Sequence, residues 1–250
     1  MRYFIELSYN GENYHGWQNQ PNAISVQEVL EKALSTLIRS EISIVGAGRT
    51  DAGVHAKQMY AHFDTEVVFD RSELTLKLNS FLPNDIAIQT IHPVKTDAHA
   101  RFDATGRTYE YWIVTEKNPF HNQSAYLVYK KLDVHLMNLA AKELFNYKDF
   151  KCFSKTHTDV KTYICTIEKA IWEQHNELLI FTIRADRFLR NMVRAIVGTL
   201  LEVGLGKLSI KEFKEIIESR NRNNAGTSVP GKALYLTAVS YPAEIFTTHG

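Results

Sequence analysis

The order in which two hydrophobic periods alternate over the first hundred residues constrains this chain more than any other feature. Residues 2–9 (RYFIELSY) set Tyr3, Ile5, Leu7 and Tyr9 on one side of an extended segment, a strand period. Val26, Val29, Leu30, Ala33, Leu34, Leu37 and Ile38 follow at helical spacing up to Arg39. Ser25 and Glu28 stand before them at capping-box spacing. β-Branched residues at 42–45, a strand over 56–64, a helix near 71–81 and a strand near 85–94 complete the order β-α-β-β-α-β. That is the split βαβ, or ferredoxin-like, arrangement.

A second, more embellished unit follows. Residues 107–115 (RTYEYWIVT) alternate as a strand, a helix is expected at 133–144, and strands at 162–173 and 177–185. Leu189, Met192, Val193, Ile196, Val197, Leu200 and Leu201 form one apolar stripe, which predicts a helix over 189–202 ended by Gly204 and Gly206. A helix near 209–219, a polar loop at 221–232 and a strand at 233–241 close the chain. The expected class is α/β (α+β), with two ferredoxin-like halves, residues 1–100 and 101–250.

The chain has 250 residues, 44% hydrophobic and 23% charged, ample for packed cores. Two cysteines, Cys152 and Cys165, build neither a disulfide framework nor a four-cysteine zinc site. The start lacks a signal-peptide apolar core, and no window approaches eighteen uninterrupted apolar residues, so a soluble, cytoplasmic protein with no membrane partner is expected. The net charge of +1 conceals an asymmetry: residues 1–125 carry −4 and residues 126–250 carry +5. Distribution, rather than the sum, decides whether a chain can meet a polyanion.

Residues 46–56 read GAGRTDAGVHA, with three glycines in eight positions. A dinucleotide loop needs G-x-G-x-x-G followed by a helix. Here the third glycine position holds Asp51, which would repel a pyrophosphate, and a strand pattern follows. No Gly-Lys-Ser/Thr is present either. What remains is a tightly bending loop that brings its backbone close to a ligand and projects Arg49 and Asp51.

Six stretches together resemble one family. These are YHGWQNQ at 14–20, the loop GAGRTDAGVHA, FLPNDIAI at 81–88, AHARFDATGRTYEY at 98–111, FLRNMVRAIVGTLLEVG at 188–204 and ALYLTAVSYP at 233–242. In this order they resemble the tRNA pseudouridine synthase A family. The chain departs from the family at Ala233, where a glycine usually precedes the leucine pair.

The resemblance implies a pseudouridine synthase fold whose two sheets meet around a central cleft. It implies isomerisation of uridine to pseudouridine in the anticodon stem-loop of tRNA, at positions 38, 39 and 40 in tRNA numbering. A homodimer, no cofactor and no metal are implied as well. His55 and His62, seven apart, do not have a standard zinc spacing.

By the same resemblance Asp51 is the catalytic carboxylate, acting at C1′, at C6 of the base, or on a sugar proton. Arg194 is its charged neighbour, favouring the ionised form. Tyr109 is the ring against the extruded uracil. Leu234 packs against the base, and Arg49 fills the space left in the RNA. By pattern alone, Arg194 flanks a helix stripe and Tyr109 packs in a strand.

Two basic stretches are candidate phosphate contacts. One is Arg184, Arg187, Arg190 and Arg194. The other is Lys148, Lys151, Lys155 and Lys161, interleaved with Phe150, Phe153 and His157. The rival readings are a synthase acting on another RNA and an inactive RNA-binding protein of the same fold.

Overall fold

The computed structural model describes residues 1–156 and 160–247. His157, named above as part of a basic stretch, lies outside them. In chain order the strands are β1 (Arg2–Tyr9), β2 (Val45–Gly46), β3 (His55–Asp64), β4 (Ile86–Pro93), β5 (Gly106–Val114), β6 (Tyr126–Leu127), β7 (Ile167–His175), β8 (Leu178–Ala185) and β9 (Leu234–Ser240). The longer helices are α1 (Val26–Ile38), α2 (Arg71–Phe81), α3 (Val134–Glu143), α4 (Met192–Gly204) and α5 (Ile210–Ser219). The mixed α/β class expected from the sequence holds. Among the described residues no helix is long and apolar enough to cross a membrane.

These elements form two compact units. One comprises Met1–Thr105 with the segment from Tyr235 onward; the other is Gly106–Leu234.

In the first unit the strands lie in the order β4-β1-β3, with β2 on the far side of β3. The β1–β3, β1–β4 and β2–β3 pairings are all antiparallel, as a split βαβ unit requires. The closing strand β9 joins β3 in parallel, His55 opposite Tyr235 and Ala56 opposite Leu236. Ser25 caps α1 by accepting from the Glu28 amide, while its hydroxyl donates to Asn19 Oδ1. Phe4, Ile5, Leu7, Leu30, Leu34, Met59 and Phe63 are fully buried here.

In the second unit β8 sits between β5 and β7, both pairings antiparallel, and β6 lies parallel to β5. α4 is sheathed on nearly every side: eleven of its thirteen residues are buried. It starts at Met192, three residues later than the apolar stripe predicts, because Asn191 adopts a left-handed backbone (φ 67°). Leu189 keeps its place in the core outside the helix. Residues 162–166 are not part of β7. They run beside 148–150 instead, with the Phe150 amide donating to Tyr163 O and the Cys165 amide to Lys148 O. Cys152 and Cys165 are buried free thiols, and burial pushes both up to about 12.

The loop 225–230 is stitched along α4. The Gly226 amide donates to Thr199 Oγ1 (2.9 Å) and the Val229 amide to Arg194 O (3.2 Å). The approach is so close that a Cβ on Gly198 would lie 1.9 Å from Thr227 O. Gly198→Ala is therefore expected to cost at least about 1–3 kcal/mol, measured as a lower urea midpoint at unchanged slope.

His62 in β3 is buried, accepts the Ala100 amide at Nδ1 (3.1 Å) and meets the His99 ring edge-on. Burial, reinforced by Arg2 and His99, pushes it down to about 4. The unfolded chain binds this proton near pH 6.5, before the folded one does. The His62 contribution is thus complete above pH 6.5 and lost as pH falls towards about 4. His62→Asn, which keeps an acceptor at the same place, is expected to remove about 1–2 kcal/mol of that pH dependence in urea titrations at several pH values.

Candidate active-site loop and basic helix

Asp51 and Arg49 belong to the loop between β2 and β3, in the first unit. Arg49 is exposed, Asp51 half-buried, and Thr50 between them buried. Alternation of this kind turns two charged side chains outward and uses the middle residue as an anchor. Thr50 Oγ1 shares a hydrogen bond with Tyr9 Oη (2.9 Å), and Thr50 O accepts the Trp17 amide (3.2 Å). The Gly53 amide donates to Tyr14 O, and the Val54 amide to Asp51 O, both at 3.2 Å. At the base of the loop, the Ala47 amide reaches Tyr60 O (2.7 Å). At its far end, His55 Nδ1 accepts the Gly11 amide (3.1 Å). Six contacts over nine residues fix the backbone on both sides of Asp51.

Gly16 makes this frame possible. Its φ is +94°, and a Cβ there would sit 2.3 Å from Thr50 O. Tyr14, whose hydroxyl donates to Asp85 (2.6 Å), and the buried Trp17 hold the same turn. Tyr9, Tyr14, Gly16 and Trp17 supply the loop's frame; the sequence places Tyr9 in a strand and the other three in the stretch YHGWQNQ, without tying any of them to the loop. Their signal is the aromatic and glycine spacing of YNGENYHGW, which becomes meaningful only once the turn is seen against the loop.

Tyr109, Arg194 and Leu234 belong to the second unit. Tyr109 lies on β5 opposite Ile183, half-exposed, with its ring edge-on to Phe188 at 5.2 Å. Arg194 stands in the first turn of α4 and its Nε donates to Val229 O (2.7 Å). Tyr111, two residues from Tyr109 on the same strand face, donates its hydroxyl to Pro230 O (3.0 Å). Burial raises the Tyr111 phenol far above its ordinary value, with Tyr126 adding and Arg194 opposing. One dipeptide, Val229–Pro230, thus ties the helix bearing Arg194 to the strand bearing Tyr109. Four residues beyond it stands Leu234, buried at the start of β9. Ala233, the departure noted above, is fully buried in the short 3-10 turn before Leu234.

The two basic stretches meet where the Lys155 amide donates to Arg190 O (3.0 Å). Arg184 is paired with Glu168 (2.7 Å), and Lys151 lies over the Tyr163 ring (5.5 Å). Phe150 and Phe153 are fully buried in the core, so the aromatic interleaving expected for this stretch is not a surface feature. Their side chains face inward because the 3-10 turn Lys151–Phe153 packs on α4 and α5. The lysines remain on the surface.

The chain matches the family model described as tRNA pseudouridine synthase over residues 7–103 and 140–242. It is 59% identical over 250 residues to the tRNA pseudouridine synthase A of Bacteroides thetaiotaomicron, covering 99% of this chain and 93% of that protein. It is 60% identical over 248 residues to that of Bacteroides fragilis, covering 98% of each. Against the tRNA pseudouridine synthase A of Clostridium acetobutylicum it is 41% identical over 239 residues, covering 95% and 98%. The chain belongs to the tRNA pseudouridine synthase family.

The loop frame makes a specific demand on glycine. Gly16→Ala is expected to lower stability by about 1–3 kcal/mol, through both the positive φ and the clash. Gly48→Ala in the same loop region, where a Cβ meets nothing within 4 Å, is expected to stay within about 0.5 kcal/mol. Parallel urea titrations of the two variants compare them.

Proposed function

We propose that this chain isomerises uridine to pseudouridine in the anticodon stem-loop of tRNA, at positions 38, 39 and 40 in tRNA numbering. It does so as a cytoplasmic homodimer. The C1′–N1 bond breaks, the base turns, C5 joins C1′, the proton on C5 leaves to solvent and the freed N1 takes up a proton. The sequence balance is that of an isomerase: no atom is gained and no electron pair is lost overall.

One observation carries this reading. In a chain of this family, Asp51 projects half-exposed from a loop whose backbone is fixed on both sides, beside the exposed Arg49. Such a carboxylate needs no reorganisation to meet charge that develops at the sugar as the glycosidic bond breaks. Arg49 has the planar, cationic group suited to fill the space of an extruded base and to pair with phosphate. The ring of Tyr109 supports the extruded uracil, and Leu234 adds an apolar wall. Arg194 balances the carboxylate, its guanidinium oriented by Val229 O. The surface lysines at 148, 151, 155 and 161 and the arginines at 187 and 190 grip the RNA backbone without reading its sequence.

Tritium release from C5-tritiated tRNA tests the assignment. Wild-type protein is expected to release the label. Asp51→Asn is expected to lose about 10²–10⁴-fold or more in turnover while binding tRNA with unchanged affinity. Arg49→Ala is expected to slow turnover on folded tRNA. Wild-type rates in Asp51→Asn would remove Asp51 from the chemistry.

A further inference from the structure

Residues 115–131 take no part in the proposed reaction, and they lie between the two stretches that match the family model. After Val114 the chain loops out and returns as β6, parallel to the end of β5, with Ile113 opposite Tyr126 and Val114 opposite Leu127. The Val128 amide then donates to Val114 O (2.9 Å). Parallel pairing sends both chain segments off the same end of β5. Lys117 leaves on one, Lys130 and Lys131 on the other, and all three are exposed. Exposed carboxylates stand beside them as well: Glu116, Asp133 just beyond Lys131, and Glu177 against His121.

Each of the two segments carries one exposed aromatic ring. Phe120 is 92% exposed and Tyr129 73%. The backbone that carries Phe120 is firmly built. Asn118 Oδ1 accepts the Phe120 amide (2.9 Å), and the His121 and Ala125 amides close successive turns. The His121 ring spans Ser124 Oγ and Glu177 Oε1, each at 3.2 Å, and Lys232 Nζ donates to Asn122 O. A backbone secured in this way holds a phenyl ring in water, where burial contributes nothing to the fold.

Exposed rings beside exposed lysines are the composition of surfaces that hold unpaired nucleotides: bases stack on the rings and phosphates meet the cations. The cores of protein–protein interfaces are depleted in lysine, so three of them here favour a polyanion over a protein. The end of β5 from which the segments leave is about five strand residues from Tyr109, roughly 17 Å, beyond the reach of one nucleotide base.

We propose that Phe120 and Tyr129, flanked by Lys117, Lys130 and Lys131, form a second contact for the substrate tRNA, stacking on unpaired bases away from the uridine that reacts. The proposal rests on the tRNA reading above.

The test compares wild type, the double variant Phe120→Ala/Tyr129→Ala and the triple variant Lys117→Gln/Lys130→Gln/Lys131→Gln. Affinity for a full-length tRNA transcript is measured over a salt series, with tritium release alongside and light scattering for the oligomeric state. The ring variant is expected to bind about tenfold more weakly and to raise KM with little change in kcat, at an unchanged salt slope, since stacking releases no counterions. The lysine variant is expected to bind more weakly with a salt slope shallower by about 2–3. Ring-variant affinity within twofold of wild type overturns the proposal. So does a change in oligomeric mass with tRNA affinity retained, which would give the rings to a protein interface. Failure of the wild type to bind tRNA or release tritium would overturn the reaction reading itself.

Discussion

The second unit depends on a backbone-to-backbone contact between α4 and the loop 225–230. Helices usually meet their surroundings through side chains, at separations of 8–10 Å between axes. Here Gly198 lets Thr227 O come against the helix itself, and Thr199 bonds the Gly226 amide. The loop is then a fixed rail. Val229 and Pro230 on that rail receive Arg194 and Tyr111, and the chain leaves it through the 3-10 turn Gly231–Ala233 into Leu234. Three separate elements acquire their positions from one close approach. The first unit follows the same logic with different parts: the turn around Gly16 approaches Thr50 closely and sets the residues on either side of it.

The element order was legible from hydrophobic period because the period reports which face is buried. It does not report backbone angles. Leu189 has the spacing of the α4 stripe and is indeed buried, yet Asn191 breaks the helix beneath it. The same limit explains 162–166, whose residues read as the start of a strand. They do pair, but with 148–150 rather than with the sheet. Phe150 and Phe153 were misjudged for a related reason. Lysines at 148, 151, 155 and 161 suggested a surface, and the rings at 150 and 153 turn inward.

The loop carrying Asp51 announced itself through composition, three glycines around a charged triplet. Its supports did not, since Tyr9, Tyr14 and Gly16 stand some 35–40 residues earlier and touch it only after β1 and β3 pair. Local pattern identifies residues that project, whereas long-range contact decides which of them are held still. Phe120 is a sharper case. An isolated phenylalanine in a polar loop carries no period, and only its exposure on a rigid turn distinguishes it from a core residue.

The first unit is assembled from both ends of the chain, with β9 completing it beside β3. During synthesis the ribosome delivers β3 long before β9, with the whole of the second unit in between. At about 5–20 residues per second this interval of some 170 residues lasts roughly 9–34 s. Throughout it the His55–Ala56 edge of β3 has no partner, and Tyr235 is absent from its place against the His55 ring, 4.6 Å away in the finished protein. His55 closes the loop that begins at Gly46. Maturation of the Asp51 loop is therefore tied to the synthesis of β9, and a nascent polypeptide that has not yet delivered that strand carries the loop with one edge of β3 unmade.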